Sequence, residues 1–435
     1  MPAEEASSSG AANLLPKDTA SEEVQAKQMP AGRSMRKAEA RVRLDHLTGV
    51  KTLLAIWIVM HHMSSREPES AVSIFTMRVD VAVEAFVMLS GFMTHYAYGE
   101  KDATSSPGTL LCFYVRRLAR VGLTTQFAML CSLFWWWFGA KDYLTLKVLG
   151  CLTFVKPWLD PEPNCPNAPT WFIAATIPSW LLYPLVTRPI LDAKKAKESP
   201  QTLLTYCGVL WLVSLAPQLV LIVLQGDWLT WAQVKYTWFW PPAQLADFAF
   251  GACVAALIKS SPPPKSAGKL ADALIMVLFL ICFFFPVAET PEGWEGPVFR
   301  PGHYMAWDGL SARIASPLIA AWIYCSACNN SYIGQFFSNT VLVALGAYNL
   351  EIYLFQTPVH DLFTWTKDAL WLPTESMEVF MLYIFLLNVA SAMWVDMLAA
   401  PADKWLKGVT AEWECKPLSH FFGQRQAYVT VQDAE

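Results

Sequence analysis

The stretch LTGVKTLLAIWIVMHH, residues 47–62, is apolar enough for a membrane-spanning helix, yet it carries Lys51 near one end and His61 and His62 at the other. Eleven residues of α-helix turn through about 1100°, three turns plus about 20°, so Lys51 and His62 fall on one face about 16 Å apart. They cannot touch, but they can line one groove. In one reading Lys51 snorkels to an interface and both histidines sit at headgroup level. In the other, Lys51 and His62 face the interior of a helix bundle as part of a site. His62 would then take a proton near neutral pH, and Lys51 would supply a fixed positive charge for a phosphate or an oxyanion. His61 lies about 100° further round the helix and reads as structural.

The rest of the chain favours a membrane setting. Of its 435 residues, 54% are hydrophobic and only 16% charged, too few charges to cover a soluble domain of this length. Apolar runs recur at 47–63, 80–98, 120–140, 170–187, 202–225, 240–258, 270–288, 304–327, 340–359 and 377–399. The fold class expected is therefore all-α, a polytopic membrane protein with a bundle of about ten transmembrane helices. The run 144–155 is too short and carries Lys147, so it reads as re-entrant or interfacial. Lys and Arg residues precede the first span and follow the second, fourth and sixth, which places both termini in the cytoplasm. Residues 156–171 and 289–304 then face outward.

Residues 1–43 form a polar segment expected to be disordered and cytoplasmic. They lack the apolar core of a secretory signal, so the first span should serve as the insertion signal. Glu4, Glu5, Asp18, Glu22 and Glu23 argue against an organellar transit peptide. The membrane domain is expected over 44–402, with a cytoplasmic tail at 403–435. No basic tract suits nucleic acid, and the lipid bilayer is the evident surface partner.

Ten cysteines are scattered mostly inside apolar runs, where they act as small hydrophobes. Cys151 and Cys165 could be bridged on an oxidising side, which spacing alone leaves open. Cys325 and Cys328 form a C-x-x-C pair without a second pair or a nearby His cluster, so no metal is expected. Glu84, Asp247, Arg313, Glu351 and Asp396 fall at membrane depth, where each costs about 2.5–3.5 kcal/mol if central and unpaired. They should pair or face water. Asp247 or Glu351 is expected to meet Lys51 or Arg313.

Several of these segments together resemble the acyltransferase-3 family of integral membrane acyltransferases. LTGVKTLLAIWIVMHH is similar to its first helix, marked by Arg or Lys, ten residues, then His. VDVAVEAFVMLSGFMTHYAY (79–98) resembles its run ending in Leu-Ser-Gly-Phe, here Leu89, Ser90, Gly91 and Phe92. FYVRRLARVGL carries the family-like Arg-x-x-Arg as Arg117 and Arg120. QLADFAFGACVAAL resembles an acidic-Phe-x-x-Gly helix through Asp247, Phe248 and Gly251. LGAYNLEIYLFQTPV is similar to a late helix through Gly346, Tyr353, Leu354, Gln356 and Pro358. The chain departs from the pattern at Phe172 and Thr176, where many members have Ser and Glu. It departs again at Gln356, where His is common, and at Asn349.

The resemblance implies transfer of an acyl group, acetyl being expected, from acyl-CoA to a hydroxyl on a sugar, lipid or small molecule. His62 would be the general base, and Lys51 would hold donor phosphate or steady negative charge. Arg117 and Arg120, three residues apart on one helix face, would bind the CoA phosphates. Their plainer reading is a positive-inside anchor. Ser90 beside Gly91 reads as a packing residue, which favours direct transfer without a covalent intermediate. The rival classes are a proton-coupled secondary transporter and a catalytically degenerate family member. Against the transporter stands the lack of paired broken helices in matching halves.

Overall fold

The computed structural model describes residues 44–63, 76, 78–101, 103–139, 146–161, 164–225, 228–229, 231–284, 304–370 and 377–414. The terminal segments 1–43 and 415–435, and nearly all of the 289–304 loop, lie outside the described residues.

The chain is a helical membrane protein. Its principal helices are α1 (Asp45–Met63), α2 (Val79–Tyr98), α3 (Pro107–Gly139), α4 (Leu146–Leu152), α5 (Thr170–Leu182), α6 (Pro200–Gln225) and α7 (Leu245–Ser260). They continue as α8 (Ala267–Phe284), α9 (Ala306–Ser326), α10 (Tyr332–Phe337), α11 (Thr340–Gly346), α12 (Asn349–Leu370), α13 (Met377–Trp394) and α14 (Ala400–Glu414). Extended structure among the described residues amounts to one antiparallel pair, Trp228–Leu229 with Tyr304–Met305.

Each of the ten apolar runs is helical over most of its described length, though 340–359 breaks after Gly346 into α11 and α12. Among the described residues, four helical runs are long and apolar enough to cross a membrane: Thr170–Asp192, Pro200–Leu224, Pro241–Ser260 and Val379–Ala411. The expected number of about ten goes beyond that. Leu146–Leu152, at seven residues, is too short to cross. Residues 403–414 continue helically, and Thr410 is held on α3 by the Arg116 Nε–H, which donates to Thr410 Oγ1 at 2.6 Å.

Helices α2 and α7 cross with their backbones nearly touching, and small residues make it possible. Ala82, Ala252 and Ala255 are fully buried along it. A Cβ added at Gly91 would stand 1.8 Å from the Phe248 carbonyl oxygen, and one at Gly251 would stand 1.8 Å from that of Met88. The backbones thus rest on each other reciprocally, a packing that hydrocarbon-embedded helices rely on because no hydrophobic drive separates helix from lipid. This contact accounts for the glycine in two of the family-like motifs. Helices α1, α6 and α9 pack around the α2–α7 pair, while α12 bridges α1, α3 and α13.

Prolines lie inside α5, α6, α9 and α12 (Pro178, Pro217, Pro317 and Pro358), and in α9 and α12 the released carbonyl finds a side-chain donor. Pro317 has no N–H for the Arg313 carbonyl, which accepts instead from the Trp211 indole at 2.9 Å. Pro358 likewise releases the Leu354 carbonyl, which accepts from Asn167 Nδ2 at 2.8 Å. Asn167 lies two residues beyond Cys165, which is disulfide-bonded to Cys151 with Cα atoms 5.9 Å apart. The option left open by spacing is therefore realised.

Candidate active site

His62 lies in the last turn of α1 with its side chain exposed, and its Nδ1 lies 2.7 Å from Gln356 Oε1 on α12. Gln356 is fully buried, and its Nε2 donates to the Tyr353 carbonyl at 2.7 Å. The surrounding turn of α12 is anchored twice more. The Tyr353 hydroxyl donates to the Pro169 carbonyl at 2.9 Å, and the Tyr383 hydroxyl donates to the Gln356 carbonyl at 2.9 Å. His61 turns elsewhere, its Nδ1 lying 2.9 Å from the Thr76 carbonyl, in keeping with a structural role.

The positions that depart from the family pattern form the wall beside this turn. Phe172 packs edge-on against Tyr353, with ring centroids 5.5 Å apart. The Thr176 hydroxyl donates back to the Phe172 carbonyl at 2.5 Å, so it is spent within its own helix. Asn349 donates from Nδ2 to the Gly346 carbonyl at 2.6 Å, closing the break between α11 and α12.

Lys51 lies at the other end of the α1 face. The charges of Arg117 and Arg120 both act on it, so α1 and α3 bring three cations into one another's field. Lys51 and Arg117 are half-buried and Arg120 is exposed. Among the described residues, neither Lys51 nor Arg120 makes a hydrogen bond or an ion pair. Glu351 on α12 feels Arg120 but has no hydrogen-bond partner for either carboxylate oxygen.

Arg117 is held in place from two sides. Its guanidinium lies over the Trp180 ring at 4.8 Å, and its Nη2 donates to Thr94 Oγ1 at 3.2 Å. The Trp180 indole donates to Ser90 Oγ at 3.1 Å, which occupies Ser90 as a support and fits its reading as a packing residue. The Nε of Arg117 is buried without a partner. A guanidinium stacked and tethered on one edge presents its remaining donors in a fixed direction, which suits phosphate.

The third polar group is separate and closed. Asp247 on α7 and Arg313 on α9 are both fully buried, with Asp247 Oδ2 3.6 Å from Arg313 Nε. Glu84 on α2 adjoins Asp247 and accepts from the Ser316 hydroxyl at 2.8 Å. Arg313 donates from Nη1 to the Ser214 carbonyl at 2.9 Å and from Nη2 to the Ala243 carbonyl at 3.0 Å. The expectation that Asp247 or Glu351 would meet Lys51 or Arg313 is thus met by Asp247 and Arg313. Asp396, by contrast, is exposed.

The structure therefore gathers Lys51, Arg117 and Arg120, and sets His62 apart from them along the same helix. Sequence reasoning missed Gln356 as the partner of His62, Asn167 as the donor to the opened turn, and Trp180 and Thr94 as the supports of Arg117. Pro358 signals that a carbonyl is released at Leu354 but not which side chain meets it.

Fold and site define the class: a helical membrane protein that keeps ionisable groups in its interior, one group short of anions. The particular family follows from comparison. The model of the acyltransferase-3 family, described as an acyltransferase domain, matches residues 44–395, and the chain belongs to that family. No curated protein and no solved structure matches it. By family, then, this is a membrane acyltransferase.

Proposed function

We propose that the protein moves an acyl group, acetyl in the simplest case, from acyl-CoA to a hydroxyl of a carbohydrate, lipid or small molecule. The observation that carries this reading is the cluster of Lys51, Arg117 and Arg120, which lacks matching anions and lies about 16 Å along α1 from His62. A donor with phosphates at one end of a long arm and a thioester at the other suits that separation. In this scheme the three cations hold the phosphates, and Glu351 beside Arg120 limits the charge they must bear when empty.

His62 then takes the proton from the acceptor hydroxyl as its oxygen forms the new bond to the thioester carbonyl carbon. The tetrahedral oxyanion collapses with cleavage of the carbon–sulfur bond. The departing thiolate recovers the proton from His62, so the base is regenerated and free CoA leaves as the second product. A proton-transfer role of this kind is typically worth about 10²–10⁴ in rate.

The basic loops support a multi-pass arrangement with both termini cytoplasmic. The Cys151–Cys165 disulfide agrees with it, because such bonds persist on the oxidising side and this one lies between the third and fourth apolar runs. In that orientation the cationic cluster is nearer the cytoplasm and His62 nearer the outer face.

Cells expressing the wild type or His62→Ala at matched levels provide the test. Mass spectrometry of their lipids, glycans and small metabolites should reveal an acyl-sized increment with the wild type alone. Identical profiles, with both proteins folded in the membrane, would remove His62 from the chemistry and favour a transporter or a degenerate enzyme.

A further inference from the structure

The contacts of Gln356 decide more than the placement of His62. An amide side chain has one end that only donates and one that only accepts. The Tyr353 carbonyl can only accept, so the amide nitrogen of Gln356 must face it, as the 2.7 Å contact has it. The amide oxygen is thereby turned to His62 Nδ1 at 2.7 Å. That oxygen carries no proton, so the proton of the contact belongs to the imidazole.

The amide cannot readily flip. Gln356 is fully buried, its carbonyl is held by Tyr383, and the turn is held by Asn167 at Leu354 and by Tyr353 at Pro169. A flip would set the amide oxygen against the Tyr353 carbonyl, two acceptors facing each other in a buried site, and lose that hydrogen bond.

We infer that Gln356 is a positioning residue that holds His62 as the Nδ1–H tautomer, which makes Nε2 the nitrogen that accepts the proton of the acceptor hydroxyl. This rests on the proposed role of His62 as general base, and it gives that role a direction. In an unconstrained imidazole side chain the Nε2–H tautomer is the commoner one. Without Gln356 the basic nitrogen would therefore mostly point back into α12 rather than toward the acceptor. Gln at a position where relatives of this family often have His keeps the acceptor function while removing a second titrating group.

The experiment uses the full chain, labelled with ¹⁵N-histidine in detergent micelles. The chain has 7 histidines, so His62 is assigned by difference against His62→Ala. The wild type should show a pyrrole-type Nδ1 and a pyridine-type Nε2. Gln356→Met, similar in volume but without an acceptor, should shift His62 toward Nε2–H, and Gln356→Glu, which restores an acceptor oxygen, should return it to Nδ1–H. A wild type in the Nε2–H form, or a Gln356→Met variant that keeps Nδ1–H, overturns the inference; the wild-type spectrum alone suffices if Gln356→Met fails to fold.

Acetyl-CoA supplied to membranes containing each variant is the activity probe. Product should fall on the order of 10²-fold in Gln356→Met, toward the loss expected when a general base is misdirected, with donor KM unchanged. Gln356→Glu should recover part of it. A tautomer that switches with no change in product overturns the base role of His62 while leaving the hydrogen-bond assignment intact, so the two failures are distinguishable.

Discussion

Two charged clusters lie in this molecule, and they are balanced in opposite ways. Around Arg313 the chain supplies opposite charge and two hydrogen bonds: the Asp247 carboxylate at 3.6 Å, the neighbouring Glu84, and carbonyls of Ser214 and Ala243 on two other segments. Around Lys51 it supplies almost nothing. Three cations share one region, and among the described residues Glu351, which feels Arg120, bonds to none of them. Charge in a low-dielectric interior is costly unless compensated. A cluster compensated from within is architecture; one left uncompensated suits the anionic donor proposed for it.

The sharpest way to break this contrast is to remove the single cation of the closed cluster. Arg313→Met leaves two adjoining carboxyl groups, Glu84 and Asp247, without their guanidinium and two carbonyls without their donor. Loss of one partner from a buried pair costs about 3–5 kcal/mol. We expect a large drop in melting temperature in detergent, or failure to accumulate in the membrane. A variant that melts like the wild type would show that the cluster is hydrated and not the closed unit described. Gly251→Val tests the same unit from the backbone side, because α2 and α7 carry Glu84 and Asp247 toward each other through this crossing. The Gly251 Cα cannot take a β-carbon 1.8 Å from the Met88 oxygen without parting the helices. A loss of several kcal/mol is expected there too, on the scale of severe overpacking.

The open cluster should behave in the reverse sense. Lys51→Gln or Arg120→Gln removes a cation that repels its neighbours, so the melting temperature without donor should stay level or rise. The cost should appear only with the donor present. A charged hydrogen bond is worth about 1.5–3 kcal/mol, so each variant should raise the KM for acyl-CoA by about 10–100-fold. Acyl-CoA at 100 times its Kd should stabilise the wild type by about 2.7 kcal/mol and should stabilise the Lys51→Gln/Arg120→Gln double variant far less. Equal stabilisation of both would mean that the cluster is only a positive-inside anchor.

The same contrast governs how much could be read from the sequence. Lys51 and His62 were legible because both lie on one helix, and helical periodicity alone puts them on one face. The pairing of Asp247 with Arg313 was legible as a requirement, since membrane-buried charges must find partners, although the choice of partner was not. The link from His62 to Gln356 joins residues 294 apart in sequence, and that from Asn167 to Leu354 joins residues 187 apart. Neither pair has a periodicity that announces it. The break between α11 and α12 was likewise hidden, because the apolar run continues across Ala347 and Tyr348 while the helix does not. Bridging stayed open at Cys151 and Cys165 because it depends on where α4 and residues 164–169 meet, a tertiary fact.

The smallest expected effect is also the most specific, and it concerns the feature the two regions share. In both, a proline releases a carbonyl and a distant side chain takes it up: Trp211 for Arg313, Asn167 for Leu354. If Asn167 is present because Pro358 cannot donate, the two residues are energetically coupled. Asn167→Ala alone strands a buried carbonyl and should cost about 1–3 kcal/mol. Pro358→Ala alone restores an N–H that competes with Asn167 for the same oxygen and straightens the turn. In the double variant the Leu354 carbonyl can bond to the N–H that replacing the proline restores, so the cost of losing Asn167 should largely vanish. A double-mutant cycle read by thermal unfolding should then return a coupling of about 1 kcal/mol or more, with the double variant more stable than the two single losses would predict. Strict additivity would mean that Asn167 holds the 164–169 segment for its own sake. The turn that carries Gln356 would then owe its shape to Tyr353 and Tyr383 alone.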